Sequence, residues 1–401
     1  MNSETEGEFF EAELETADIP NDREDESDLV DLDAPSTFEA VVAAADWTTE
    51  TILSQIARKR LNLDPDFQRR DAWTRSRKSK FIESLIANVP IPQIVLAERP
   101  GQRGNYIVLD GKQRLLTLWQ FAGLGEGDGD GFRLTGLDLR KDLNKARLKD
   151  LPTADRDALE TQTIRTVVVR NWKSDDFLYL VFLRLNTGNV PLSPQELRQA
   201  LHPGSFVRFV NEFTASSEAF HEMLRRKTPD FRMRDVELLV RFFAFDRFLP
   251  DHFGNLKPLL DLTCESLNSF WASEEEQIRT QASRCEQAIR ATMEIFKGHA
   301  FRRWNEGRYE RPFNRAVFDV MTFYAKDPAV ASAMTGKAKD VESAFQEVCD
   351  EPQFAESIST TTKSIDAIEH RLTTWGVALS QTLGAQLPVP TTSPDGRIAY
   401  A

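Results

Sequence analysis

Tyr106-Ile107-Val108-Leu109-Asp110-Gly111-Lys112-Gln113-Arg114-Leu115-Leu116-Thr117-Leu118-Trp119-Gln120-Phe121 is the stretch on which the fold turns. Its first four residues are apolar and β-prone and read as a strand. Leu115, Leu116, Leu118, Trp119 and Phe121 then repeat at helical spacing. DGKQR therefore lies at a strand-to-helix turn. Such a turn presents the free N–H groups of a helix start, where the helix dipole favours anions. Gly111 lets a ligand come close to the backbone. Lys112 and Arg114 add positive charge, and a guanidinium grips phosphate oxygens bidentately. Asp110 suits a magnesium ion or a ribose hydroxyl. The same five residues also suit an ordinary type I turn with solvated charges.

Outward from the turn, Ile94-Val95-Leu96 reads as a second strand and Ile164 to Val169 as a third. Before them, Thr48 caps a short helix through Ile52, Leu53 and Ile56, and Phe81, Ile82, Leu85 and Ile86 mark another that Pro90 stops. Six basic residues lie between Arg69 and Lys80 against the single acid Asp71. A basic helix start of this kind, with Arg69 and Arg70 at its head, attracts phosphate. Trp73 suits either base stacking or core packing. Asp175 to Leu185 reads as a helix, broken at Asn186-Thr187-Gly188-Asn189. Ser193-Pro194-Gln195-Glu196 opens the next with a capping box. Arg184, Asn186 and Thr187 can present polar groups to a ligand there.

From Pro194 onward the chain reads as helical, with segments near 195–201, 206–224, 234–249, 256–270, 274–297, 312–325, 338–349 and 354–382 and without strand signals. The fold class is α+β: a small mixed sheet with helices over 39–195, then an all-α domain over 196–385. Residues 386–401 read as a disordered tail. The net charge of −13 is uneven. Residues 1–50 hold 17 Asp and Glu against one Arg, leaving 49 basic and 46 acidic groups in the rest. Residues 1–38 read as a disordered acidic tail, a solubilising segment or a nucleic-acid mimic.

Several chemistries are excluded by pattern. Cys264, Cys285 and Cys349 are odd in number and form no CxxC, which argues against a disulfide framework or thiolate zinc site. The five histidines show no metal spacing, and neither GxSxG nor GxxxxGK[ST] occurs. Residues 123–131, with glycine at every second position, carry Glu126, Asp128 and Asp130, which repel phosphate, and read as a surface loop. No run of eighteen apolar residues is present, and the N-terminus lacks a basic start, so a reduced cytoplasmic protein is expected, with no membrane partner. Arg225-Arg226-Lys227 with Arg232 and Arg234 forms one basic stripe. Arg302, Arg303, Arg308, Arg311 and Arg315, interleaved with Phe301, Trp304, Tyr309 and Phe313, form another. Such stripes suit nucleic-acid backbones or simply solvated faces.

Four motifs in order resemble one family. Phe67-Gln68-Arg69, Ile82-Glu83-Ser84-Leu85 with Pro90-Ile91-Pro92, Asp110 to Arg114, and Phe182 to Gly188 with Gln195 to Arg198 look like the signatures of the N-terminal domain of GmrSD-type modification-dependent restriction enzymes. The resemblance covers roughly 45–250. That family is similar in turn to the ParB/sulfiredoxin fold. It implies a nucleoside triphosphate and Mg2+ as ligands, and a nucleotide switch or slow Mg-dependent NTPase in bacterial defence. The resemblance implies phosphate contact for Arg114, Gln113 and Arg69, metal or ribose contact for Asp110, and a pocket lined by Gln68 and Asn186. Asp110 and Glu83 are the candidate catalytic carboxylates. Lys112 departs from the family's usual glutamine. No clustered His and Asn of an HNH nuclease is present in the sequence, so a nuclease would come from a separate partner chain. The alternative is a nucleic-acid-binding or scaffold protein with a non-hydrolysing pocket. Homo-oligomerisation is left open by the sequence.

Overall fold

The computed structural model describes residues 40–61, 63, 71–124, 129–185, 193–251, 256–359, 364–392 and 398–400. The acidic tail, the Phe67–Arg70 segment and Asn186–Asn189 lie outside the described residues. Two compact units form. One comprises the described residues up to Pro203 with Pro229–Arg234; the other comprises Gly204–Thr228 and those from Asp235 onward.

The first unit is built on strands β1 (Val41–Thr48), β2 (Ile94–Glu98), β3 (Tyr106–Asp110) and β4 (Thr163–Arg170), in spatial order β1-β4-β2-β3. β2 runs parallel to β4 with Ile94 opposite Thr166 and Leu96 opposite Val168. The β1–β4 and β2–β3 pairs are antiparallel, so the sheet is mixed. β1 is not legible in the sequence, because Val41-Val42-Ala43-Ala44-Ala45 carries no alternation. It is an edge strand in which half the residues are exposed and none is fully buried.

Side-chain alternation divides the sheet. Ile94, Leu96, Ile164 and Val168 face one hydrophobic cluster. That cluster also takes Ile52 and Ile56 from α1 (Thr49–Ala57), Phe81, Ile82 and Leu85 from α2 (Arg75–Ile86), and Leu115, Leu118 and Phe121 from α3 (Lys112–Phe121). Leu159 comes from α4 (Thr153–Thr161), a helix in a stretch whose mixed charge hides its single buried position. Val95, Ile107, Leu109 and Val169 alternate to the other side and are buried too. There α5 (Asp175–Leu185) and α6 (Pro194–Leu201) pack against β3. Thr48 caps α1 through its hydroxyl, as its position predicts. α2 ends at Ile86, short of Pro90.

The second unit is helical. It holds α7 (Ser205–Ser216), α8 (Glu218–Met223), α9 (Arg234–Arg247), α10 (Leu256–Phe296), α11 (Arg315–Ala325), α12 (Pro328–Gly336), α13 (Ala338–Cys349), α14 (Pro352–Ser357) and α15 (Ile365–Leu383). α10 is one continuous helix of 41 residues where the sequence suggests two, since the Trp271–Glu276 region is polar without a breaker. The unit is not purely α. β5 (Trp304–Asn305) and β6 (Arg308–Tyr309) form a hairpin across Glu306 and Gly307, both at positive φ, the geometry of a two-residue hairpin loop. In the segment expected to be a tail, β7 (Pro390–Thr392) pairs with β8 (Ile398–Tyr400).

Charge is buried in this unit as well. Arg241 and Arg371, both fully buried, meet Asp319, and Arg315 pairs with Glu237 at 3.2 Å. Arg315 therefore leaves the basic stripe expected of it. Arg234 leaves the other, held by Asp230 at 2.6 Å. Cys264, Cys285 and Cys349 are free and buried. Among the described residues no helix is long and apolar enough to cross a membrane.

Candidate functional site

The DGKQR turn sits where β3 hands over to α3. The β2–β3 register shifts between Val95, which faces Asp110, and Leu96, which faces Val108. A bulge of this kind bends a strand end and re-aims its side chains. Gly111 follows at φ 97°, in the left-handed region, and is the N-cap of α3 with no side chain to cap it. The Gly111 carbonyl accepts the first intrahelical bond, from Leu115 N–H at 3.0 Å. The N–H groups of residues 112–114 precede that bond and have no carbonyl to reach within the helix.

Arg114 folds back over this helix start. Its Nη2 donates to Asp110 Oδ2 at 2.6 Å, with the two side chains 11% and 41% exposed. A Cβ on Gly111 would lie 3.3 Å from Arg114 Nη2, 3.4 Å from its Nε and 2.9 Å from Ile94 Cγ1, so the glycine makes room for the guanidinium. Arg114 Nε is buried and makes no hydrogen bond among the described residues. A buried donor without an acceptor is costly, and an anion seated at this helix start would supply one.

Gln113 Oε1 accepts from Ala72 N–H at 3.4 Å, which ties the turn to the segment just after Phe67–Arg70. Asp71 accepts from Gln120 Nε2 at 3.0 Å and from the buried Lys78 ammonium. The segment before α2 thus meets the turn through Gln113 and the last turn of α3 through Gln120. Gln68, Arg69 and Arg70 themselves lie outside the described residues, as do Asn186 and Thr187. Arg184 is exposed at the last turn of α5. Trp73 packs edge-on to Phe81 at 5.7 Å, and Arg77 covers its ring at 4.8 Å. Its role is packing.

Two sequence assignments need correction. Lys112 does not add charge to the turn's mouth. Its ammonium is buried against the Glu196 carboxylate, the side chains 6% and 5% exposed. Glu196 also closes the capping box of α6, accepting Ser193 N–H at 2.7 Å while Ser193 Oγ accepts Glu196 N–H at 3.2 Å. Glu196 was legible only as a cap; its second task, neutralising a lysine 84 residues away, has no local signal. Glu83, the second candidate base, is a loop clamp. It is buried, and its two oxygens accept the N–H groups of Asp138 at 3.2 Å, Leu139 at 2.7 Å and Arg140 at 2.6 Å. A carboxylate committed to three backbone donors is not placed to take a proton.

The turn fits a phosphate group: uncapped helix N–H groups, a glycine cradle and an arginine nitrogen without an acceptor. Asp110 is the carboxylate that would hold magnesium there beside phosphate oxygens, an arrangement that needs only one or two protein carboxylates. Among the described residues no three His, Cys, Asp or Glu side chains converge on a common metal position.

Residues 49–203 match the family described as GmrSD restriction endonuclease, N-terminal domain. The matched stretch takes in β2, β3 and β4 and the helices from α1 through α6, and β1 lies just before it. No curated protein and no solved structure matches the chain.

Proposed function

We propose that the first unit is a nucleoside-triphosphate-binding switch serving a phage-restriction system. The GmrSD N-terminal domain points to the restriction setting. The observation that carries nucleotide binding is Arg114: half-buried, folded over Gly111 at an uncapped helix start, with its Nε meeting no acceptor among the described residues. In this reading the N–H groups of 112–114 and the Arg114 guanidinium take the phosphate oxygens. Arg114 and Asp110 neutralise each other without ligand. A phosphate draws Arg114 away, and the freed Asp110 takes magnesium or the ribose. Magnesium supplies charge neutralisation on the phosphates when bound.

Hydrolysis, where it occurs, rests on this positioning and not on a general base, because Glu83 is committed to its loop. The expected turnover is slow. A separate nuclease or effector chain reads the nucleotide state. The test is release of inorganic phosphate from ATP, GTP, CTP and UTP with magnesium, by the full chain alone and with duplex DNA added. Release from at least one triphosphate, lost in Arg114→Ala, supports a hydrolytic switch. No release together with tight binding restricts the reading to a non-hydrolysing switch.

A further inference from the structure

A second positively charged site lies in the same unit, away from the turn. We infer that the cavity of about 440 Å3 between the start of α2 and the 131–147 loop binds the phosphodiester backbone of a nucleic acid. This inference does not rest on nucleotide binding at Arg114.

Four cations from three segments line the cavity: Arg75, Arg133, and Lys145 with Arg147. Three of them have a fixed side-chain contact: Arg75, Arg133 and Arg147. Arg75, the first residue of α2, lays its guanidinium over the Phe132 ring at 4.8 Å. Arg133 Nη1 donates to the Lys145 carbonyl at 2.8 Å. The two sides of the loop are laced by Leu134 N–H to Ala146 O at 2.9 Å and Lys145 N–H to Leu134 O at 2.7 Å. Gly131 closes the turn at φ +71, where a Cβ would strike the Phe121 carbonyl oxygen. The backbone that carries Arg133, Lys145 and Arg147 is therefore fixed, and with it the spacing of their Cα atoms.

The compensation is incomplete. Asp130 is shared by Arg147 at 3.2 Å and Lys149 at 2.7 Å. Lys149 above all, with Arg147 and Arg133, holds the Asp130 carboxyl below the usual carboxylate range. Among the described residues no carboxylate lies within salt-bridge reach of Arg75, Arg133 or Lys145. Arg147 Nε is buried and makes no hydrogen bond among the described residues. Gathering like charges in one cavity is unfavourable without an anion to share them.

The shape selects the anion. The volume exceeds what one small anion fills. Guanidinium forks match phosphate oxygens, and Arg75 already covers the aromatic ring, which leaves no free face for base stacking. Recognition is thus of backbone phosphates, salt-dependent and without a base preference.

The experiment uses the full chain, a labelled short duplex DNA and fluorescence anisotropy over a salt titration. Arg133→Glu with Lys145→Glu alters two exposed side chains; Arg133→Lys with Lys145→Arg keeps the charge and controls for folding. The expected result is wild-type binding that weakens with salt, at least about tenfold weaker binding in the charge-reversed protein, and a log–log salt slope shallower by about 2. The charge-conserving pair and Arg114→Ala bind DNA as wild type does. Unchanged affinity and slope in the charge-reversed protein would overturn the site, as would no DNA binding by wild type at low salt. Displacement of DNA by tripolyphosphate as effectively as by unlabelled duplex would overturn the nucleic-acid assignment in favour of a small-anion site.

Discussion

The Lys112 ammonium meets the Glu196 carboxylate inside the first unit, joining the DGKQR turn to the QELR helix α6. One carboxylate oxygen takes the lysine and the other takes Ser193 N–H. The pair fixes the start of α3 against the start of α6 and so sets the attitude of the candidate site. Removing one partner leaves a buried charge uncompensated, which costs roughly 3–5 kcal/mol. Lys112→Met and Glu196→Gln are each expected to lower the denaturation midpoint strongly. The double variant is expected to recover part of the loss, giving a coupling energy of about 1 kcal/mol or more in a double-mutant cycle. Additive losses would contradict the pairing.

Gly111→Ala tests the cradle. The new Cβ meets Ile94 Cγ1 at 2.9 Å and the Arg114 guanidinium at 3.3 Å, at a φ of 97° that L side chains rarely adopt. Strain of this kind costs of order 1–3 kcal/mol. A lower melting temperature is expected, together with weaker nucleotide binding because Arg114 must move. Unchanged binding would show that Arg114 does not reach the ligand from this position.

Glu83→Gln separates structure from catalysis. The amide keeps one acceptor oxygen and turns an NH2 group toward the backbone donors of Asp138, Leu139 and Arg140. A loss of about 1–3 kcal/mol in stability is expected, with nucleotide affinity and turnover per folded molecule retained. Abolished turnover at unchanged stability would restore Glu83 as a base.

The turn itself was legible in the sequence because its signals are local. The apolar β-prone run ends at Leu109, Gly111 follows, and helical spacing starts at Leu115; β3 and α3 fall where these predict. Thr48 and Ser193 were legible as caps for the same reason. What the sequence hides is pairing across distance. Nothing near Lys112 announces Glu196, nothing near Glu83 announces Leu139 and Arg140, and Arg315 reads as surface charge until Glu237 is placed beside it. The basic cavity was hidden likewise: Arg75 and Arg133 are 58 positions apart in number, and only the tertiary fold sets them around one space. β1 escaped because an alanine-rich edge strand draws its stability from the Val41–Thr48 ladder with β4 and not from its side chains.

Burial pushes the Cys349 thiol up to about 12. Its ordinary value is about 8.5, so the folded protein holds the proton more tightly than the unfolded chain does. The associated stability is fully present below about pH 8.5 and is lost as pH rises toward 12. In urea titrations at increasing alkaline pH, the wild-type midpoint is expected to fall more steeply than that of Cys349→Ala. Parallel curves would contradict the buried position of the thiol. All three cysteines are buried, so alkylation in native buffer is expected to be slow and to complete on unfolding.

The most direct test of the central claim is calorimetric titration of each magnesium nucleoside triphosphate into wild type and Arg114→Ala. Binding of at least one triphosphate, weakened about tenfold or more by the substitution while the melting temperature holds, is the predicted result. Equal affinity in the two proteins, or no binding by wild type, would contradict a phosphate site at the DGKQR turn.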